Sequence, residues 1–141
     1  MGQAQAAAPV SIPSGRLHVR NVVYIAGPIS SPHCIQVAEN LHRFTQCEHA
    51  LLQAGCAPID PGSDWAAVSL GGVDYEALME RDRALLMVSR AVYFMRGWRE
   101  SPGAVREHRW AARCGILCVE EPPEGFEKSG FVELREALEG T

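Results

Sequence analysis

No stretch of this 141-residue chain stays apolar for the length that a bilayer requires. The first twenty residues, MGQAQAAAPVSIPSGRLHVR, also lack the long apolar segment of a secretory signal. The expected compartment is therefore the cytoplasm, with no membrane partner. A basic surplus is missing as well. The formal net charge is −4, with 13 Lys and Arg against 17 Asp and Glu, so no nucleic-acid polymer is expected as a partner. The five cysteines, Cys34, Cys47, Cys56, Cys114 and Cys118, include no CxxC pair and are odd in number. They read as buried free thiols, with no metal site. Lysine is almost absent: apart from Lys128, every basic residue is Arg, and many fall between Arg81 and Arg113. Arginine suits phosphate and carboxylate partners, although a plain compositional preference explains the bias equally well.

What is present alternates. NVVYIAG (21–27), CAPID (56–60), AVYFM (91–95) and ILCVE (116–120) are short apolar runs rich in β-branched residues, the signature of buried strands. Between them lie helical periodicities. Val37, Leu41, Phe44, Leu51 and Leu52 mark a helix from about Ile35 to Ala54, with Gly55 where a C-terminal cap belongs. A second helix is expected from about Val73 to Val88 and a third from Ser101 to about Arg113, closed by Gly115. A short last helix covers Phe131–Leu138. The expected fold is a single three-layer α/β/α domain over 21–141. Its sheet has four or five mostly parallel strands in a flavodoxin-like or Rossmann-like arrangement, preceded by a flexible tail over 1–20. In such sheets a ligand lies beyond the carboxyl ends of the strands. That points to the loops AGPIS, with Gly27, Pro28 and Ser30, and RGWRESPG.

Two carboxylates sit against the pattern. On a helix over 73–88, Tyr75, Leu78, Met79, Leu85 and Leu86 form the apolar stripe, and Asp82 lands in its middle. A buried unpaired carboxylate is costly, so Asp82 either caps or pairs with an Arg, or it lines a cavity. In the third helix Ser101 is a good N-cap and Pro102 suits the first turn. Ala104, Val105, Ala111 and Ala112 make a small-residue face, Arg106, Arg109 and Arg113 lie opposite, and His108 reads as a core histidine. Glu107 is expected at the edge of the apolar face, toward the open strand ends. Ser101 and Gly103 offer a hydroxyl and backbone N–H groups to an anion at the helix start. A carboxylate about one turn deeper suits attack on the anomeric carbon of a sugar held by its phosphate.

The pieces YIAGPIS (24–30), Asn40 with Phe44, PID (58–60), Trp65, MERD (79–82) and GWRESPGAVREH (97–108) together resemble the nucleoside 2-deoxyribosyltransferase superfamily, which includes nucleotide N-glycosidases. The nearest likeness is to a bacterial and phage branch of it. The resemblance covers about residues 21–120. It implies that Glu107 is the nucleophile on C1′ of the sugar, that Tyr24 orients Glu107 or contacts the sugar, and that Asp82 contacts the base or assists its departure. Ser101 and Gly103 would hold the 5′ end. Gly27, Pro28, Ser30, Asp60, Trp65 and Trp98 are the further candidates for substrate contact, although Trp65 and Trp98 would as readily shield the core. No cofactor and no metal are implied. The partner is a small nucleoside or nucleotide, and a homodimer or larger homo-oligomer is implied because family members commonly complete their sites with a neighbouring subunit. One position departs: SRAVYF carries Arg90 where the family often has an Asp. The expected activity is cleavage of the N-glycosidic bond of a nucleoside 5′-monophosphate, by hydrolysis or transfer. The alternatives are a non-catalytic nucleotide-binding module, which Arg90 favours, and a phosphoribohydrolase or NAD-cleaving relative. The Gly-Gly-x-Gly-Thr phosphate loop usual in phosphoribohydrolases is missing.

Overall fold

The computed structural model of the chain describes residues 20–64 and 71–140. The tail expected over 1–20, apart from Arg20, and the candidate Trp65 lie outside the described residues. Four strands, β1 (Val22–Ala26), β2 (Ala57–Ile59), β3 (Ala91–Phe94) and β4 (Leu117–Glu120), alternate with four helices among the described residues. These are α1 (Cys34–Gln53), α2 (Tyr75–Met87), α3 (Pro102–Arg113) and α4 (Lys128–Glu139). The sheet runs β2-β1-β3-β4 and every pairing is parallel, with Tyr24 level with Ile59 on one side and Val92 on the other.

The layers follow from the two-residue period of β1. Val23 and Ile25 face Phe44, Cys47 and Leu51 of α1 and Phe131, Leu134 and Leu138 of α4. Tyr24 and Ala26 face Leu86 of α2 and Ala104 and Ala111 of α3. The expected three-layer α/β/α architecture is thus present. The chain leaves β1 toward β2 on one side and later builds β3 and β4 on the other, so a crevice opens beyond the carboxyl ends of β1 and β3.

The element boundaries expected from the sequence hold to within a few residues, with some corrections. The last helix begins three residues earlier than Phe131, and residues 61–64 of the expected loop form a 3-10 turn. Leu52 is not a core residue. The buried stripe of α1 runs through Asn40, Phe44, Cys47 and Leu51, and Leu52, a further 100° round, is 56% exposed. Ala112 is likewise exposed on α3, whose buried residues are Ala104, Glu107 and Ala111. The cysteines are free, but only Cys47 and Cys56 are buried. Cys34 opens α1 and Cys114 caps α3, and helix ends reach solvent.

Candidate functional site

The first turn of α3 is built as its sequence demands. Ser101 holds an extended backbone and its Oγ accepts from Ala104 N at 3.3 Å, while Pro102, which has no N–H to leave unpaired, occupies the first helical position. Residues 104, 107 and 111 then fall on one face. Glu107 lies at the edge of that stripe, as expected, yet it is buried with it, 6% exposed. The small side chains at 104 and 111 let the helix approach the sheet closely.

The Glu107 carboxylate meets Tyr24, whose hydroxyl donates to Oε2. Tyr24 is fully buried in the centre of β1, so it stands behind Glu107 and does not itself reach the cleft. Among the described residues Glu107 forms no salt bridge. Burial pushes its carboxyl up to about 8; the Tyr24 hydrogen bond pulls it down and the nearby Asp82 charge raises it further. Burial, and then the charges of Glu107 and Asp82, hold the Tyr24 phenol far above its ordinary range.

A cleft of about 230 Å³ opens beside this pair. Glu107, Asp82, Ser101 and Gly103 line it, as expected, with Gly27 and Ser30 from the loop after β1. Asp82 is 6% exposed in the middle of the buried face of α2 and accepts from Arg81 Nη2 at 2.8 Å. Both readings of its place in the apolar stripe therefore hold, since it is paired and also lines the cavity. A side chain at Gly27 would crowd Met95: a Cβ there would stand 2.9 Å from its Cε and 3.1 Å from its Cβ, so Met95 would have to shift. The backbone itself can thus form the wall.

Three expected contacts are not brought to the cleft. Trp98 is buried against Phe94, stacks on His108 at 4.7 Å, carries Arg99 on its ring and donates to Glu120 Oε1. It shields the core, and no base can stack on it as placed. Pro28 packs toward Gly97 instead of the cavity. Asp60 accepts from Gly62 N at 2.8 Å and so shapes the turn that presents Pro61, the residue that does line the cleft. Arg90, the departure from the resembled family, lies at the amino end of β3, where its N–H bonds Val22 O. It is a strand's length from the cleft.

Several lining residues were not among the named candidates, although Ile29, Phe44 and Met79 lie in the quoted pieces: Ile29, Phe44, Pro61, Tyr75, Leu78 and Met79. Tyr75 is expected in the core by its spacing, yet it is 50% exposed, because as the first residue of α2 it projects past the sheet end. Asn40 acts from behind. Buried on α1, it donates to Ile29 O at 3.1 Å and so fixes the loop after β1. The sequence singled out Asn40 only as a resembling piece; a polar residue at a core position of α1 is the signal that gives it this role. Among the described residues no cluster of His, Cys, Asp or Glu could hold a metal ion, and no helix is long and apolar enough to cross a membrane.

Two buried carboxylates, a tyrosine behind one of them and a helix start at the mouth form a site able to hold a small polar ligand and offer it a nucleophile or an acid. Comparison with curated proteins finds no match. Residues 21–120 match a family model along the same span that carries the sheet and the cleft, and the chain belongs to the family described as Domain of unknown function (DUF4406).

Proposed function

We propose that the protein cleaves the N-glycosidic bond of a nucleoside 5′-monophosphate, as the resemblance to the nucleoside 2-deoxyribosyltransferase superfamily implies. The observation that carries this reading is Glu107: a buried carboxylate without an ion-pair partner among the described residues, bonded to Tyr24 and lining a cleft with a helix start at its mouth. The sugar phosphate rests against Ser101 and Gly103. In its ionised form Glu107 bonds C1′ through one oxygen as the bond from C1′ to the base nitrogen breaks. The electron pair leaves with the base, which takes up a proton from water on the Asp82 side of the cleft; the proton is returned when the attacking water loses one. Water, or a second base, then attacks C1′ and releases Glu107. Tyr24 is a positioning residue, since its donated hydrogen bond fixes which carboxylate oxygen faces the ligand. A homodimer that completes the cleft and a cytoplasmic setting belong to the same reading.

The test is incubation with a panel of nucleosides, their 5′-monophosphates and NAD, with free base measured by chromatography. Wild type is expected to release base from a monophosphate and Glu107→Ala to release none. Release from NAD alone would move the assignment to the NAD-cleaving relatives. Monophosphate binding without release, equal in both proteins, would leave a nucleotide-binding module.

A further inference from the structure

We propose that Tyr75 is a specificity-determining residue of this cleft: held over the first turn of α3 by the Glu76–Arg106 ion pair, its phenol donates a hydrogen bond to the 5′-phosphate of the bound nucleotide. This rests on the ligand orientation of the preceding section. Tyr75 starts α2 and lines the cleft on the side of Ser101 and Gly103. Its hydroxyl lies so close over the backbone there that a Cβ on Gly103 would stand 3.3 Å from it. The absent side chain at 103 is what leaves a ligand space beneath the phenol.

The adjoining residue supplies the clamp. Both carboxylate oxygens of Glu76 accept from the Arg106 guanidinium, at 3.0 and 2.7 Å, in the planar fork that only arginine provides. Arg106 also lies over the Trp110 ring at 5.4 Å. The amino end of α2 is thereby tied to α3, and Arg106 is committed to that bond.

The need for a third donor follows from the rest of the wall. Among the described residues the acids that line the cleft are Asp82 and Glu107, and no described Lys or Arg lines it. Recognition of an anion falls to neutral donors. Pro102 has no N–H and that of Ala104 is taken by Ser101 Oγ. The first turn is left with the Gly103 N–H and the Ser101 O–H. A phosphate presents three terminal oxygens, and the Tyr75 hydroxyl stands where the third contact is missing. Burial, with Arg106 opposing, raises the Tyr75 pKa, so the phenol keeps its proton at neutral pH.

The experiment measures binding by calorimetry, independently of turnover. The ligands are one nucleoside and its 5′-monophosphate, and the proteins are wild type, Tyr75→Phe and Arg106→Lys, with melting temperatures recorded for each. Tyr75→Phe is expected to weaken the monophosphate about tenfold and leave the nucleoside within about twofold, the value of one hydrogen bond to a charged group. Arg106→Lys, which keeps the charge and loses the fork, is expected to reproduce part of that selective loss. Equal weakening of both ligands, no change in either, or a wild type that fails to bind the monophosphate would overturn the proposal. Selective loss in a protein that releases no base would sustain the role of Tyr75 and discard the glycosidase reading.

Discussion

Strand β1 sends Val23 and Ile25 to one face of the sheet and Tyr24 and Ala26 to the other, and the two faces are put to different use. Toward α1 and α4 the contacts are aromatic and aliphatic, with Tyr93, Phe126 and Phe131 packed edge to face and stacked. Toward α2 and α3 the sheet also carries an aromatic group, Phe94, Trp98 and His108, but beside Tyr24 it meets Ala104, Ala111 and two buried carboxylates. Two tyrosines make the contrast concrete. Tyr93 on the first face is buried with its hydroxyl lacking a hydrogen-bond partner among the described residues, whereas the Tyr24 hydroxyl on the second is spent on Glu107. The first face supplies apolar burial. The second gives up some of it to keep a proton-sensitive group at the cleft.

Truncation on each face should separate these roles most sharply. Phe131→Ala is expected to lower stability by about 3–5 kcal/mol, the cost of emptying a core aromatic site, with turnover per folded molecule unchanged. Glu107→Ala is expected to abolish base release without a loss of that size. Chemical denaturation alongside product chromatography reads both, and a core variant that loses turnover per folded molecule would erase the distinction.

A smaller effect is the pH dependence of stability on the α2–α3 face. The Glu107 carboxyl rises from 4.5 to about 8 on folding. Between those values the folded chain keeps a proton that the unfolded chain has lost. The contribution of Glu107 to stability is therefore full below 4.5 and declines as pH rises to about 8. Glu107→Gln should be more stable than wild type by on the order of a few kcal/mol at pH 8 and near parity at pH 4.5. Melting curves at both pH values check this; a difference independent of pH contradicts it.

The same group sets the activity profile. Base release should climb with pH along a limb centred near 8, where Glu107 ionises. Tyr24→Phe removes a bond that favours the charged form and should move the limb alkaline. Asp82→Asn removes a like charge and should move it acid, each by about one pH unit. Limbs that move together would show that the two residues do not act through Glu107. The smallest expected effect returns to the apolar face: Tyr93→Phe removes a hydroxyl without a partner among the described residues and should leave stability within about 1 kcal/mol of wild type or raise it, as measured by thermal melting.

The strands and helices were legible because periods of 2 and 3.6 report which side of an element is buried. Ser101, Pro102 and the stripe through Ala104 and Ala111 placed α3, and with it Glu107, from local rules alone. Asp82 announced itself as a charge among leucines. Other assignments were not local. Trp98 and Pro28 sit in the loops expected around the site, yet their side chains turn into packing that only the folded neighbours provide. Tyr75 obeyed the core spacing of α2 and still reached the cleft, because the first turn of α2 packs over the start of α3 and not on the sheet.

Residue order alone determined the alternating strands and helices, the parallel sheet they imply and the capped helix carrying an acidic side chain, because each is a property of neighbours along the chain. The meeting of Tyr24 with Glu107, 83 positions apart, was decided by the tertiary structure, as were the depth of Glu107, its raised affinity for a proton and the reach of Tyr75 over Gly103. Those depend on which elements lie side by side and on how much water their packing shuts out.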